Sequence, residues 1–138
     1  MYGSLDISVS GMIAQRTRAA VIANNLANSS TLLNAAGEYD PYLRREIMFA
    51  AGDPAAADPS RRALGVHIQA IEANPDALRA SYDPSSPFAD AGGYVMVPDI
   101  DPLTEQVNML AATRAYEANL AAAEATKTIM AQALRLLA

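Results

Sequence analysis

The side chains with catalytic or metal-binding potential are few in this sequence and are widely spaced. The only histidine, His67, stands in an alternating stretch without a cysteine or carboxylate at metal-ligand spacing. Asp99 and Asp101 resemble a carboxylate pair, but a glycosidase or a metal site would need them to converge in a pocket. A turn and a helix N-cap explain the pair more simply, so we expect no catalytic, cofactor or metal site and no enzyme.

Composition excludes several other classes of function. Cysteine is absent, which rules out disulfides and thiolate chemistry, and Gly92-Gly93 lacks the lysine that would follow in a phosphate loop. Residues 32–101 carry 11 acids against 5 arginines, and no basic stripe is available for nucleic acid. No apolar run is long enough to span a membrane, and no secretory signal pattern opens the chain. We therefore expect neither nucleic-acid binding nor membrane insertion.

Helix-breaking residues divide the chain into three segments. Seven of the eight prolines and five of the seven glycines lie between Gly37 and Pro98. We predict an N-terminal helix with an asparagine-rich end over 1–31, a loop-rich β insert over 32–100, and a C-terminal helix over 101–138.

The N-terminal helix is predicted from residues at 4-3-4-3 spacing. Ser4 is the expected N-cap, Asp6 lies in the first turn, and the helix should stop near Asn28. The stripe contains one charged residue, Arg16, and its apolar members are Leu5, Val9, Met12, Ala19, Ala23 and Leu26.

The C-terminal helix has a stronger start signal, with Asp101 as N-cap and Pro102 at the first helical position. No proline or glycine interrupts Leu103 to Ala138, so the helix should run about 54 Å. One apolar line recurs every seven residues, at Met109, Tyr116, Ala123, Met130 and Leu137, and a second contains Ala115, Ala122, Ile129 and Leu136.

These patterns predict a mostly α fold in which the two end helices pair as a coiled coil. The first helix is too short to cover the second, and the second has two apolar faces, so we favour self-assembly. A closed monomeric hairpin serving as a binding domain stays open as an alternative. A charge introduced by Ala123→Glu is expected to block assembly.

The insert is predicted to form a small β-hairpin. Strand formers occupy 42–49 and 66–72, with a third short candidate at 79–83. Residues 50–64 should form a mobile loop, and Asn74-Pro75-Asp76 should turn the chain.

Polar residues beside the helix stripes are candidates for fixing register. Asn119 lies three residues beyond Tyr116, and a buried amide at such a position can specify pairing at some cost in stability. Asn24, Asn25 and Asn28 are candidates for the same role, and solvated surface amides are the open alternative.

Several of these stretches resemble the bacterial flagellar axial proteins of the rod and hook. They are residues 4–12 (SLDISVSGM) with 14–16 (AQR), residues 21–28 (VIANNLAN), and residues 107–109 (VNM) with 114–119 (RAYEAN). The chain is short, as the proximal-rod members of this family are. Its residues 82–87 (YDPSSP) and 93–101 (GYVMVPDID) also resemble the corresponding stretches of those members. Met96 and Asp99 depart from the family pattern, which usually has a basic residue and an asparagine there.

The resemblance implies a structural subunit that polymerises through its terminal helices and transmits torque from motor to hook. It implies export through the flagellar type III apparatus without a cleaved signal, and a place in the periplasmic rod. Partners would be other copies, other rod proteins and the surrounding ring proteins. A paralogous rod or hook position is the main alternative. The expected polymer interface comprises Leu5, Val9, Met12, Ala19, Ala23, Asn24, Asn25, Leu26, Asn28, Met109, Arg114, Tyr116, Asn119, Ala123, Met130 and Leu137.

Overall fold

Both predicted end helices are present, and two small antiparallel sheets lie between them in sequence. A computed structural model describes residues 2–52 and 64–137. The elements are α1 (Tyr2–Ala27), β1 (Arg45–Ala51), β2 (Val66–Ala73), β3 (Leu78–Tyr82), β4 (Tyr94–Pro98) and α2 (Pro102–Leu137). The mostly helical architecture with a β insert is therefore confirmed. Most of the loop predicted at 50–64 lies outside the described residues.

The start of α2 is the one predicted from Asp101 and Pro102. One carboxylate oxygen of Asp101 accepts the Leu103 N–H at 3.2 Å, and the other accepts the Thr104 N–H at 3.2 Å and the Thr104 hydroxyl. These bonds satisfy amides that have no partner within the helix. The helix then runs for 36 residues.

The predicted start of α1 is wrong. The helix already begins at Tyr2, so Ser4 lies inside it, and its carbonyl accepts the Ser8 hydroxyl at 3.2 Å. The predicted end is close, because α1 stops at Ala27 and the Asn28 N–H bonds to the Asn24 carbonyl at 3.1 Å.

The two helices pack side by side and run antiparallel. Asn25 of α1 meets Glu105 of α2, and Gly11 meets Asn119. Fourteen residues separate the two contacts on each helix, so the pairing advances evenly along both. Most of the buried residues described in the helices, which face the other helix or the neighbouring sheet, are small: they are Ser8, Gly11, Ala14, Val21, Ile22, Asn25, Glu105, Ala112 and Ala123.

The buried face of α1 is rotated from the predicted stripe. Val9 is 42% exposed and Ala23 is exposed, whereas Leu5 and Met12 are only half-buried. Close approach of two helices favours small residues at the contact and larger ones beside it. The predicted stripe followed the larger apolar residues, so it is rotated about the helix axis relative to the face that is buried.

The described part of the insert contains two sheets instead of one hairpin. β1 pairs with β2, with Ile47 opposite Ile71, and begins at Arg45 instead of the predicted Tyr42. β3 pairs with β4, which was not predicted as a strand. The predicted turn after β2 is confirmed, because the Asn74 side-chain oxygen accepts the Asp76 N–H at 2.9 Å.

Candidate functional site

A buried group of hydrogen-bonded polar residues surrounds Asn25, near the end of α1. Its side chain is buried, with the residue only 2% exposed. Nδ2 donates to the Arg45 carbonyl at 2.9 Å, and Oδ1 accepts the Arg45 N–H at 2.9 Å. A helix side chain thus satisfies both backbone groups of the first residue of β1. We call this arrangement the Asn25 anchor.

Two further side chains complete the Asn25 anchor. Nδ2 of Asn25 also faces a carboxylate oxygen of Glu105 at 3.4 Å, and the Tyr42 hydroxyl donates to Oδ1 at 3.1 Å. Oδ1 therefore meets two donors and Nδ2 two acceptors, which fixes the orientation of the amide. Burial raises the pKa of Tyr42 above its ordinary value, with the Glu105 charge adding to this effect and Arg45 opposing it. The anchor joins α1, β1 and α2 at one point.

The neighbouring asparagines have a different role. Asn24 is exposed, and its carbonyl accepts a hydrogen bond from Nδ2 of Asn28 at 2.8 Å. Asn28 in turn accepts the Thr31 hydroxyl at 3.2 Å. These two residues finish the helix, and Asn25 alone of the three reaches into the interior.

A second close contact lies fourteen residues back along α1, where Gly11 faces Asn119. A Cβ placed on Gly11 would lie 2.8–2.9 Å from three side-chain atoms of Asn119. Nδ2 of Asn119 donates to the Ala115 carbonyl at 2.9 Å, which holds the amide against the glycine. A glycine within a helix lowers helix propensity, but at this position it also marks a close approach of the two helices.

The predicted interface residues on α2 are divided between the subunit's interior and its surface. Ala123 is 8% exposed, and Met109, Asn119 and Met130 are half-buried. Tyr116 is 37% exposed and Arg114 is exposed. Leu137 ends the helix, and its side chain lies outside the described part. On α1, Leu5, Met12, Ala19, Leu26 and Asn28 are half-buried.

Large apolar side chains remain exposed along both helices. Ile7 and Ile13 of α1 are 43% and 58% exposed. On α2 the exposed large apolar residues are Leu103, Val107, Leu110, Tyr116, Leu120, Ile129, Leu134 and Leu136. A contact surface for other chains is the simplest physical reason for such a set.

The residues considered for chemistry do not converge. Nδ1 of His67 lies 2.9 Å from the Gly52 carbonyl, in the part of the sheet beside Ser10. Asp101 lies near Glu105, which contacts Asn25 at the other end of α1. Ser10 and Asn25 are roughly 22 Å apart along α1. Within 2–52 and 64–137, no group of three potential metal ligands is found.

One open cleft of about 460 Å³ lies beside the Asn25 anchor, lined by Arg18, Arg45, Glu46 and Glu105 among others. The lining contains charged groups and amides but no nucleophile with an adjacent base. Neither described helix is long and apolar enough to cross a membrane.

Comparison with known proteins identifies the class of protein to which this chain belongs. The model of flagella basal body rod proteins matches residues 5–32. The model of the C-terminal region of flagellar basal body rod FlgEFG proteins matches residues 91–136. These two regions contain most of α1 and nearly all of α2.

Three whole-length relatives narrow the assignment, and each is named as the flagellar basal-body rod protein FlgC. The Aquifex aeolicus (strain VF5) protein is 40% identical over 129 residues, covering 94% of this chain and 91% of its own. The Bacillus subtilis (strain 168) protein is 34% identical over 145 residues, covering 98% and 97%. The Salmonella typhimurium protein is 33% identical over 131 residues, covering 95% and 93%.

This chain belongs to the FlgC family of flagellar basal-body rod proteins, which are structural components of the rod. The resemblance noted near the two ends of the chain, at residues 4–12, 14–16, 21–28, 107–109 and 114–119, is confirmed. Membership of a structural family fits the expectation that the protein is not an enzyme.

Proposed function

We propose that this rod subunit polymerises through its two terminal helices and transmits torque from the motor to the hook. The observation that carries the proposal is the exposure of large apolar side chains on helices that already pack together. Ile13 is 58% exposed, Val107 60% and Ile129 62%. Neighbouring subunits that covered these residues would remove their apolar surface from water.

The proposed interface separates into two groups of residues. Val9, Ala23, Asn24, Arg114 and Tyr116 are exposed and open to direct contact with neighbours. The buried and half-buried members, Asn25 and Ala123 above all, act by fixing how α1 and α2 pair within the subunit. Residues 1–31 and 101–138 thus form the axial unit, and 32–100 forms an outer insert.

We further propose that α1 and α2 pair as a coiled coil. Apart from Met109, the described residues of α2 that are buried or half-buried follow one another at spacings of three and four, as knobs-into-holes packing requires. Among them are Glu105, Asn108, Ala112, Ala115, Asn119, Ala123, Thr126, Met130 and Ala133. Twisting a tube of such pairs requires whole seams to shear, so stiffness would come from many contacts in parallel.

Family membership supports the remaining proposals on location and partners. We infer a place in the periplasmic rod, reached through the flagellar type III apparatus without a cleaved signal. The partners would be other copies, other rod proteins and the surrounding rings. The near-complete coverage of FlgC relatives favours the proximal rod over another rod or hook position.

A matched pair of variants tests the role of the helices. Ile13→Glu places a charge on the exposed face of α1, and Ile71→Glu makes the same change at a 45% exposed site in β2. Each variant gene replaces the native gene in a separate strain of the source bacterium. Swimming motility is measured, and so is the amount of rod present in purified basal bodies. We expect Ile13→Glu to abolish motility and Ile71→Glu to preserve it. Circular dichroism of each monomer checks folding, and normal rods with Ile13→Glu would refute the proposal.

Limited proteolysis supplies an independent test. If the terminal helices are stabilised by polymerisation, proteases should cut them in the monomer and spare them in the rod. Helices that resist cleavage equally in both states would favour a closed hairpin.

A further inference from the structure

The residues of β1 alternate in the direction of their backbone hydrogen bonds. At one end of the strand the Asn74 N–H bonds to the Arg44 carbonyl at 2.9 Å, and at the other end the Gly52 N–H bonds to the Gly65 carbonyl at 2.9 Å. Successive residues of an antiparallel strand direct their N–H and carbonyl groups to opposite sides. The even-numbered residues of 44–52 therefore face β2, and the odd-numbered residues face the outer edge of the sheet.

This outer edge is occupied at Arg45 and open at the next two outward residues. The N–H and the carbonyl of Arg45 both bond to the side chain of Asn25. Ile47 and Phe49 follow, and no turn, cap or side chain among the described residues bonds to their backbone groups. An open strand edge of this kind can pair with an extended segment of another chain.

The cleft beside the Asn25 anchor runs along the open edge. Its volume is about 460 Å³, and Ile47 and Phe49 line it on the side of the sheet. Val21 and Ile22, two buried residues of α1, line it on the side of the helix. A strand added to β1 would therefore lie in this cleft, between the sheet and α1.

The charge of the cleft favours an acidic ligand. Three arginines and two glutamates line it. Arg44 is paired with Glu46 at 2.7 Å, but Nε of Arg44 is buried and has no hydrogen-bond partner among the described residues. Neither Arg18 nor Arg45 forms an ion pair with a described residue. Guanidinium groups without a partner bind carboxylates through strong, charge-assisted hydrogen bonds.

The acidic segments of this chain are already engaged in its own fold. Alternate residues of a strand project to the same face, so two carboxylates that reach the two unpaired arginines should be two residues apart. The sequence has this spacing at Glu38 and Asp40 and at Asp99 and Asp101. The first pair is held by backbone hydrogen bonds to residues 32–34, and Asp101 caps α2. The ligand should therefore come from a different polypeptide.

We propose that the cleft beside β1 binds an acidic, extended segment of a different polypeptide, which joins the sheet as a third strand. The backbone of this segment pairs with Ile47 and Phe49, and its carboxylates bind Arg18 and Arg45. The segment is short, because Asn25 already occupies the edge at Arg45. The site does not depend on polymerisation through the terminal helices.

Peptide binding to the purified full chain tests the charge preference. The probe is a fluorescently labelled peptide in which glutamate alternates with valine, and the control peptide has lysine in place of glutamate. By fluorescence anisotropy we expect the acidic peptide to bind about tenfold more tightly or better. Arg18→Ala and Arg45→Ala should each weaken its binding about tenfold, whereas Arg79→Ala, at an exposed site in β3, should not. The Asn25 anchor survives in Arg45→Ala because it uses only backbone groups of that residue.

Amide hydrogen exchange, measured by NMR on the unmodified chain, tests strand addition without any substitution. The acidic peptide should slow exchange of the Ile47 and Phe49 amides and have little effect on Glu46 and Met48, whose amides face β2. Circular dichroism checks that each variant is folded.

Four results would overturn the proposal: no binding of the acidic peptide, equal affinity for the lysine peptide, unchanged affinity in both arginine variants, or binding that leaves exchange at Ile47 and Phe49 unaltered. None of them bears on polymerisation, which Ile13→Glu tests separately.

Discussion

Asn25 forms with Arg45 the same two hydrogen bonds that an adjacent β-strand would form with it. Nδ2 donates to the Arg45 carbonyl and Oδ1 accepts the Arg45 N–H, each at 2.9 Å. A side chain from a helix thereby takes the place of a strand at the open edge of β1. The first residue of the sheet is fixed to α1, and through Glu105 to α2.

Removing the Asn25 side chain should lower the stability of the fold, because the N–H and the carbonyl of Arg45 would lose their hydrogen-bond partners. We expect Asn25→Ala to lower the free energy of unfolding by about 3 kcal/mol, since each buried polar group left unsatisfied costs about 1–3 kcal/mol. Urea unfolding followed by circular dichroism measures the loss. Asn24→Ala at the exposed neighbouring site is the control and should change stability little. Equal effects of the two substitutions would contradict the anchor.

Asn25→Asp should be destabilising in a pH-dependent way. The carboxylate cannot donate to the Arg45 carbonyl, and it faces Glu105 in a buried site, so its folded-state pKa should lie above the unfolded value of about 3.9. A raised pKa in the folded state means that ionisation opposes folding. Relative to Asn25→Ala, the variant should therefore regain stability as the pH falls through that raised value. Parallel stability curves for the two variants would disprove this.

The contact of Gly11 with Asn119 predicts that alanine is harmful at a helix position where it is normally preferred. Alanine improves helix propensity by about 1 kcal/mol, but its Cβ would lie 2.8 Å from Asn119 atoms. We expect Gly11→Ala to reduce the urea midpoint and Gly11→Ala/Asn119→Ala to restore much of the loss. Gly3→Ala, whose nearest contact is a Leu64 methyl at 3.3 Å, is the matched control. A stabilised Gly11→Ala would show that Asn119 moves aside freely.

Ala123→Glu now has an expected effect on the isolated subunit as well as on assembly. Ala123 is 8% exposed, so a glutamate there would bury a charge or separate the helices, at a cost of about 2 kcal/mol or more. Ala122→Glu, on the exposed side of the same turn, should leave monomer stability nearly unchanged. Thermal unfolding of the purified monomers separates the two outcomes. Identical melting temperatures would place Ala123 outside the subunit's own seam.

The cap of α2 should contribute to acid sensitivity. Hydrogen bonds from the Thr104 hydroxyl, and then from the Leu103 and Thr104 amides, hold the pKa of Asp101 below its ordinary value. The stability from this ionised group is present above its unfolded pKa and is lost as the pH falls through the lower folded pKa. Asp101→Asn keeps a capping oxygen that does not titrate. As the pH falls below the unfolded pKa of aspartate, about 3.9, the wild-type melting temperature should decrease further than that of the variant.

The sequence was sufficient for features governed by local chemistry. The Asp101-Pro102 pair located the start of α2 to the residue, and the length difference between the helices correctly indicated uncovered apolar surface. The asparagine turn after β2 was found because its side chain bonds to its own backbone two residues later. None of these features depends on distant parts of the chain.

Features set by tertiary contact were missed. The buried face of α1 contains Gly11, Ala14 and Asn25, which carry little hydropathy signal, while Val9 points outward. Strand β4 is defined by its pairing with β3 across an intervening loop. The partners of Asn25, namely Arg45 and Glu105, lie 20 and 80 residues away in sequence. A single sequence does not reveal contacts between residues that lie so far apart in the chain.

The loop end of the hairpin formed by β1 and β2 is useful for labelling the protein. The Gly52 N–H bonds to the Gly65 carbonyl at 2.9 Å, and the Gly52 carbonyl lies 2.9 Å from Nδ1 of His67. The chain therefore leaves and re-enters the sheet at a closed pair of residues. Closing a longer loop costs little additional entropy. An epitope or a small fluorescent reporter inserted between these glycines should leave the strand register unchanged. The rod could then be labelled for microscopy without altering either axial helix.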